Sequence, residues 1–350
     1  MALPIAPPIA PMLAKLQEEI PTGEGWLYEP KWDGFRALVW RDGSSIEILS
    51  RDGRDLVRYF PELPAVFLEK LPRRCVVDGE VILAGSSGLD FDGLQMRIHP
   101  ARSRVEMLAS KTPASFIAFD LLAVATRDLM QRPFSERRAK LEDGLGEEAR
   151  FTKNGNAEIT ALKGQTKVLL TPQTGNVDAA RSWFKEFEAV GLDGLIAKRA
   201  EGPYVPGKRV MVKIKHQRTA DCVVGGYRLS KAGDGIGSLL LGVYDDGGEL
   251  QYVGHTSSFK APERRALLKQ LRALEGGPSF GAGRAPGGPS RWAGMRDSSW
   301  VSVKPELVCE VSFDYMQGHR FRHAATFIRW RTDKKPKECR FDQFSRPPRR

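Results

Sequence analysis

Glu29-Pro30-Lys31-Trp32-Asp33-Gly34-Phe35-Arg36 sets one lysine between two strand-like stretches, Trp26 to Tyr28 before it and Ala37 to Trp40 after it. Lys31 is therefore expected at the mouth of a sheet, beside a carboxylate, a glycine and an arginine. A free lysine near pKa 10.4 is neutral only about once in 2,500 molecules at pH 7. Partial burial and neighbouring cations are the expected sources of activation, because both favour the neutral, nucleophilic amine. A surface lysine in a turn closed by Asp33-Gly34 would read the same way locally. The case rests on what accompanies it.

Four further stretches carry matching chemistry. In Val77-Asp78-Gly79-Glu80-Val81 the two acids share a strand face, since side chains repeat every second residue. They repel unless a metal ion, a ribose hydroxyl or a cation neutralises them. Met211-Val212-Lys213-Ile214-Lys215 is the opposite case: with Val212 and Ile214 inward, Lys213 and Lys215 project together and suit a phosphate. Gly191-Leu192-Asp193-Gly194-Leu195-Ile196-Ala197-Lys198 puts a carboxylate at another strand mouth. Phe119, within Phe116-Ile117-Ala118-Phe119-Asp120-Leu121, offers a ring that could stack on a base. Together these describe a cleft for a nucleoside triphosphate.

The elements that must position them read as follows. Met12 to Ile20 has the spacing of a short helix ended by Pro21. Strands over 26–31, 35–41 and 46–50 form a meander, and Pro61 opens a helix carrying Val66, Phe67 and Leu71. Cys75 to Leu83 and Ser115 to Leu122 are strands, with partly helical chain between them. Residues 134–150 and Val177 to Val190 have helical periodicity, and strands near 194–199 and 210–214 follow. This first region is a mixed α+β body. Beyond Lys215 the texture changes to short strands at 221–229, 238–244, 249–254 and 307–313, with one helix from Pro262 to Leu274. Such a pattern predicts a small oligonucleotide-binding (OB) barrel. The Gly/Pro-rich residues 276–290 read as a long loop. The expected domains are 1–215 and 216–350.

Charge supports the division. Of 54 Lys+Arg and 43 Asp+Glu in 350 residues, residues 1–212 hold 29 of each, and residues 213–350 hold 25 and 14. The whole net charge of +11 thus falls in the last third, as expected for a polyanion-binding part joined to a neutral catalytic part. The opening MALPIAPPIAPMLA is apolar, but four prolines break it and it lacks a basic leader, so a signal peptide is not expected. No apolar run reaches the roughly eighteen residues of a membrane span. Cys75, Cys222, Cys309 and Cys339 are widely spaced with no C-x-x-C pair, which fits a reducing cytoplasm and offers no zinc site.

The ordered series KWDGFR (31–36), SRDGRD (50–55), VVDGEVI (76–82), FIAFDLL (116–122), LDGLIAK (192–198), MVKIK (211–215) and RWRTDK (329–334) resembles the motifs of the covalent nucleotidyltransferases. Within them it looks most like the ATP-dependent DNA ligases, specifically the compact bacterial ligase C kind, and the likeness spans nearly the whole chain. The resemblance implies an adenylation domain of antiparallel sheets and helices followed by an OB-fold domain, with no further N-terminal DNA-binding domain. It implies that Lys31 takes AMP from ATP, that Glu29 reads the adenine amino group, and that Arg36 and Arg51 contact nucleotide and then DNA 5′-phosphate. Glu80 would bind the ribose or act near the metal, Phe119 would stack on adenine, and Asp193 would help hold Mg²⁺ or Mn²⁺. Lys213 and Lys215 would contact the α-phosphate, while Arg331 and Lys334 orient the departing pyrophosphate. Nicked duplex DNA would be the partner, with DNA repair proteins beside it, and the enzyme would act as a cytoplasmic, nucleoid-associated monomer.

Many family members have glutamate where Asp193 stands, and NAD-dependent ligases have aspartate. The latter, however, carry an N-terminal nicotinamide-binding domain and cysteine zinc ligands and lack an ending like RWRTDK. RNA ligases and GTP-using capping enzymes share the lysine chemistry; Glu29 favours adenine.

Overall fold

The computed structural model describes residues 3–151, 155–216, 218–277, 280–281, 286 and 299–345. The chain divides into two compact units, Met1–Lys215 and His216–Arg350. The first runs β1 (Leu13–Gln17), β2 (Trp26–Pro30), β3 (Phe35–Asp42), β4 (Ser45–Ser50), α1 (Leu63–Lys70), β5 (Arg74–Ile82), α2 (Phe91–Met96), α3 (Arg102–Lys111), β6 (Ser115–Val124), β7 (Arg127–Asp128), α4 (Phe134–Leu145), α5 (Gly155–Ala161), β8 (Val168–Leu170), α6 (Val177–Glu186), β9 (Gly194–Arg199) and β10 (Arg209–Lys215).

Two sheets organise this unit. One has the order β1-β10-β9-β2, the other β4-β3-β5-β6-β7 with β8 beside β6. Between them lies a shared apolar layer: Ile5, Met12 and Met211 meet Leu38, Trp40, Val76 and Leu122. The proline-broken opening is part of that layer, and Trp40 Nε1 donates to the Ile5 carbonyl at 3.1 Å. A second cluster fills the other face of the larger sheet, where Val39, Val77 and Phe116 pack on Phe60, Leu63 and Phe67. Helix α6 lays Ala180 and Trp183 against Tyr28 and Leu195, then tightens into a 3₁₀ turn, Phe187–Val190, that ends at Gly191.

Two sequence expectations are corrected here. Met12 to Ile20 is not a helix; its centre is β1, paired in parallel with β10 from Leu13↔Arg209 to Gln17↔Ile214. Leu13 and Leu16 have helical spacing, yet Leu16 is 60% exposed, and the Leu13 N–H donates to the Lys208 carbonyl at 2.8 Å. Non-local pairing overrode the local period. The expected meander also splits: β3 and β4 form the hairpin, but β2 pairs with β9 in the other sheet. Lys31 stands where the chain changes sheets.

The second unit contains β11 (Arg218–Leu229), β12 (Ile236–Tyr244), β13 (Leu250–Thr256), α7 (Ala261–Arg272), β14 (Val301–Ser302), β15 (Val308–Phe313), β16 (Met316–Gln317), β17 (Arg320–Phe321) and β18 (Thr326–Trp330). Its main sheet runs β13-β12-β11-β15-β18, antiparallel throughout. A bridge from Thr256 to Ala325 joins its two edges, which closes the barrel that the strand pattern predicts. Cys222 and Cys309 are cross-strand partners, and Cys339 shares their core. Most of the loop expected at 276–290 lies outside the described residues. Among those residues, no helix is long and apolar enough to cross a membrane.

Candidate active site

The mouth of β2 is built by its neighbour β9. The Lys31 N–H donates to the Gly194 carbonyl at 2.8 Å and the Asp193 N–H to the Lys31 carbonyl at 3.0 Å, which extends the β2–β9 ladder by one rung and sets the two side chains face to face. Lys31 Nζ lies 2.8 Å from Asp193 Oδ2, and Lys215 Nζ reaches the same oxygen at 2.8 Å. Glycines permit this crowding. A Cβ on Gly34 would stand 2.2 Å from the Val81 carbonyl and 2.9 Å from Glu80 Cγ, and one on Gly194 would stand 1.9 Å from the Ile214 carbonyl.

An open pocket of about 570 Å³ follows, lined by Glu29, Lys31, Arg36, Arg51, Glu80, Phe119 and Lys213 among others. Asp193 and Lys215 join it through their ion pairs to the lysine cluster. Nine expected residues from six separated motifs thus come together in the first unit. Arg331 and Lys334 belong to the second, where both grip one carboxylate: Arg331 Nη1 and Lys334 Nζ each lie 2.7 Å from an oxygen of Asp221. Arg331 also makes a fork to Asp333 at 2.8 and 2.9 Å.

Electrostatics correct one expectation. Burial would lower the pKa of Lys31, but the adjacent Asp193 carboxylate outweighs it, Glu80 and Asp33 add, and the net shift is upward. The lysine whose pKa falls is Lys213, through burial and then the charges of Lys215, Lys31 and Arg209. Asp193 is held below the usual carboxylate range: burial opposes this, but Lys31 and Lys215 prevail. Burial pushes Glu80 up to about 7, with Lys31 and Arg36 pulling the other way.

Asp78 and Glu80 do not act as a pair. Asp78 is fully buried and takes Arg36 in a two-pronged bridge (Nε to Oδ1 2.8 Å, Nη2 to Oδ2 2.6 Å), with Tyr204 Oη donating to Oδ2 at 2.6 Å. Glu80 alone of the two lines the pocket. Phe119 is approached by cations, Arg36 Cζ and Lys198 Nζ each lying 4.9 Å from its ring centre. Arg51 stands at the rim, mostly exposed, 3.6 Å from Asp52.

Sequence reasoning gave no role to Lys198, Arg209, Gln173 or Arg138. The first two were legible, because Lys198 repeats with Ile196 on the pocket face of β9 and Arg209 with Met211 and Lys213 on that of β10. Gln173 sits in an irregular loop and Arg138 on a helix, and neither advertises itself by period.

Two family profiles cover most of the chain: "ATP dependent DNA ligase domain" matches residues 9–215 and "ATP dependent DNA ligase C terminal region" matches residues 232–334. DNA ligase C1 of Mycolicibacterium smegmatis is 48% identical over 99% of this chain and 97% of that protein. The chain belongs to the ATP-dependent DNA ligases. Another member, DNA ligase C of Mycobacterium tuberculosis, is 50% identical over 99% of this ligase and 96% of its own length. The multifunctional non-homologous end joining DNA repair protein LigD of that organism is 31% identical over 89% of this ligase but 37% of its own length. A solved structure described as a Lig E DNA ligase shares the fold, with a TM-score of 0.55 at 18% identity, covering 92% of this ligase and all of that chain. The α+β unit is thus a nucleotidyltransferase domain and the closed barrel an OB fold.

Proposed function

We propose that this ligase seals nicks in duplex DNA through an AMP carried on Lys31. The observation that carries the reading is the convergence of Lys31, Asp193 and Lys215 at the mouth of β2, on a pocket that also holds Glu29, Glu80 and Lys213. Lys31 Nζ attacks the α-phosphorus of ATP and pyrophosphate leaves. The AMP then passes to the 5′-phosphate at the nick, and the adjacent 3′-hydroxyl displaces it, closing the strand. Each step is in-line transfer at phosphorus, so the protein contributes mainly position and charge.

The roles follow the contacts. Lys213 and Lys215 hold the phosphate being transferred. Lys31 must shed its proton and leave Asp193 before it can attack. Glu29 accepts from the adenine amine, Phe119 gives the base an aromatic neighbour, and Arg36 and Arg51 bind nucleotide and later the DNA 5′-phosphate. Arg331 and Lys334 exchange carboxylate for pyrophosphate.

Glu80 and Asp193 suit a magnesium or manganese ion. Such ions bind through one or two carboxylates plus substrate phosphates, and among the described residues no cluster of three metal-ligating side chains forms a complete cage. Once bound, the ion would neutralise phosphate charge. We further place the ligase in DNA repair, as a monomer working on chromosomal nicks in the cytoplasm, on the strength of its likeness to LigD and its basic barrel.

The decisive experiment uses α-labelled ATP and a denaturing gel. The protein should retain label as a covalent adduct, and Lys31→Ala should retain none while keeping its melting temperature within about 3 °C. An undiminished adduct in that variant would falsify the assignment.

A further inference from the structure

Behind the pocket, Glu29 is caged. It is 2% exposed, Gln173 Nε2 donates to its Oε1 at 3.0 Å, and Lys198 Nζ lies 2.8 Å from its Oε2. Arg138 Nη1 stands 3.9 Å from Oε1 and has no hydrogen-bond partner among the described residues, although Arg138 is only 6% exposed. Each caging group is itself tethered. Lys198 donates to the Phe119 carbonyl at 3.3 Å, and Arg138 to Glu142 at 2.7 Å and the Thr171 carbonyl at 2.8 Å. Paired backbone bonds between Tyr28 and Thr174 fix the loop that carries Gln173.

We propose that Gln173, Arg138 and Lys198 are positioning residues that make this ligase choose ATP over GTP, by holding Glu29 as a group that only accepts hydrogen bonds. The inference rests on Glu29 reading the base. Lysine and arginine have no acceptor, and Gln173 presents its amide nitrogen, so both carboxylate oxygens meet donors. Glu29 also lines the pocket, so the lone pairs left over are the ones it offers to the base. Adenine presents an amine there and supplies a proton. Guanine presents a carbonyl oxygen at the same position, setting acceptor against acceptor with no proton between them. An uncaged carboxylate could turn away and tolerate guanine. The cage removes that escape, and sites built on such fixed buried polar groups discriminate most strongly.

The test measures adduct formation on the full chain with labelled ATP and GTP separately, and compares kcat/KM. In Gln173→Leu and Arg138→Met the ATP-to-GTP ratio should fall by about tenfold or more. The loss should lie mainly in KM for ATP, with GTP use unchanged or improved. Arg138→Lys, which keeps the charge, should restore most of the preference. A merely structural role predicts equal losses for both nucleotides and an unchanged ratio, and that result overturns the proposal. If Arg138→Met does not fold, Gln173→Leu decides alone, because the bond to Glu29 is the one side-chain hydrogen bond Gln173 makes among the described residues. Glu29→Gln separates the two layers. If it keeps the ratio, Glu29 does not read the base and the inference falls with that reading. If it loses the ratio while the cage variants keep it, the cage alone is wrong.

Discussion

Lys31 and Lys213 share a pocket, yet their surroundings push their protons in opposite directions. The Asp193 carboxylate overrides burial at Lys31, whereas at Lys213 burial and three cations act together and Asp193 only moderates them. A lysine whose folded pKa lies below its free value stabilises the fold above the unfolded value of about 10.4, and this stability is lost as pH falls through the folded value. At neutral pH the charged Lys213 therefore opposes folding, and an anionic ligand relieves it. Lys213→Met should raise the melting temperature of the nucleotide-free ligase by about 1–2 °C at pH 7. The gain should shrink toward pH 10.5, and the extra stabilisation normally given by ATP should be largely lost. A lower melting temperature at pH 7, or an undiminished response to ATP, would show that Lys213 is not strained in readiness for phosphate.

At the scale of elements, the site depends on how closely β9 and β10 approach. Gly194 pairs with Lys215 across that ladder, with φ at +138°, and its Cα faces the Ile214 carbonyl with no room for a methyl group. Gly194→Ala must either part the strands or bend the Asp193 turn. A cost of about 2–4 kcal/mol in urea unfolding is expected, with the adduct rate falling further than stability alone explains. A change under about 0.5 kcal/mol would mean the turn yields freely. The same elements mark what the sequence could and could not reveal. β5, β9 and β10 were legible because charged residues alternate with apolar ones in them, and β6 because it is a nearly continuous apolar run of strand length. β1 was not, because its partner is almost 200 residues away and two leucines at helical spacing pointed elsewhere. The motif residues were legible by chemistry, but the pairing of Lys31 with Asp193 was not: nothing local reveals that the β2–β9 ladder runs one rung past Pro30. Gln173 lies 144 residues from the carboxylate it binds, in a loop without period, so only the folded chain joins them.

For the molecule as a whole, most of the excess positive charge and the RWRTDK motif fall in the OB unit, while Lys31, the proposed nucleophile, belongs to the other. Within the OB unit, Arg331 and Lys334 are neutralised by Asp221 and Asp333, so they are not diffuse DNA-attracting charges but a preformed cation pair holding carboxylates. A phosphate group can take the place of a carboxylate in such a fork. Pyrophosphate departs only when ATP is consumed; neither the transfer of AMP to DNA nor the final closure releases it. A residue that serves the leaving group alone should therefore matter in the first step and hardly at all afterwards. Lys334→Ala should lower the rate of adduct formation from ATP by about 10²-fold or more, the scale of losing one charge-stabilising contact in a transition state. Closure of a nick already carrying AMP on its 5′-phosphate, assayed without ATP, should fall by less than about threefold. Lys213→Ala should depress both reactions, because the phosphate it is proposed to hold is handled in every step. If Lys334→Ala slows the two assays equally, Lys334 acts on DNA or on the fold, and the division of labour between the units is not by reaction step.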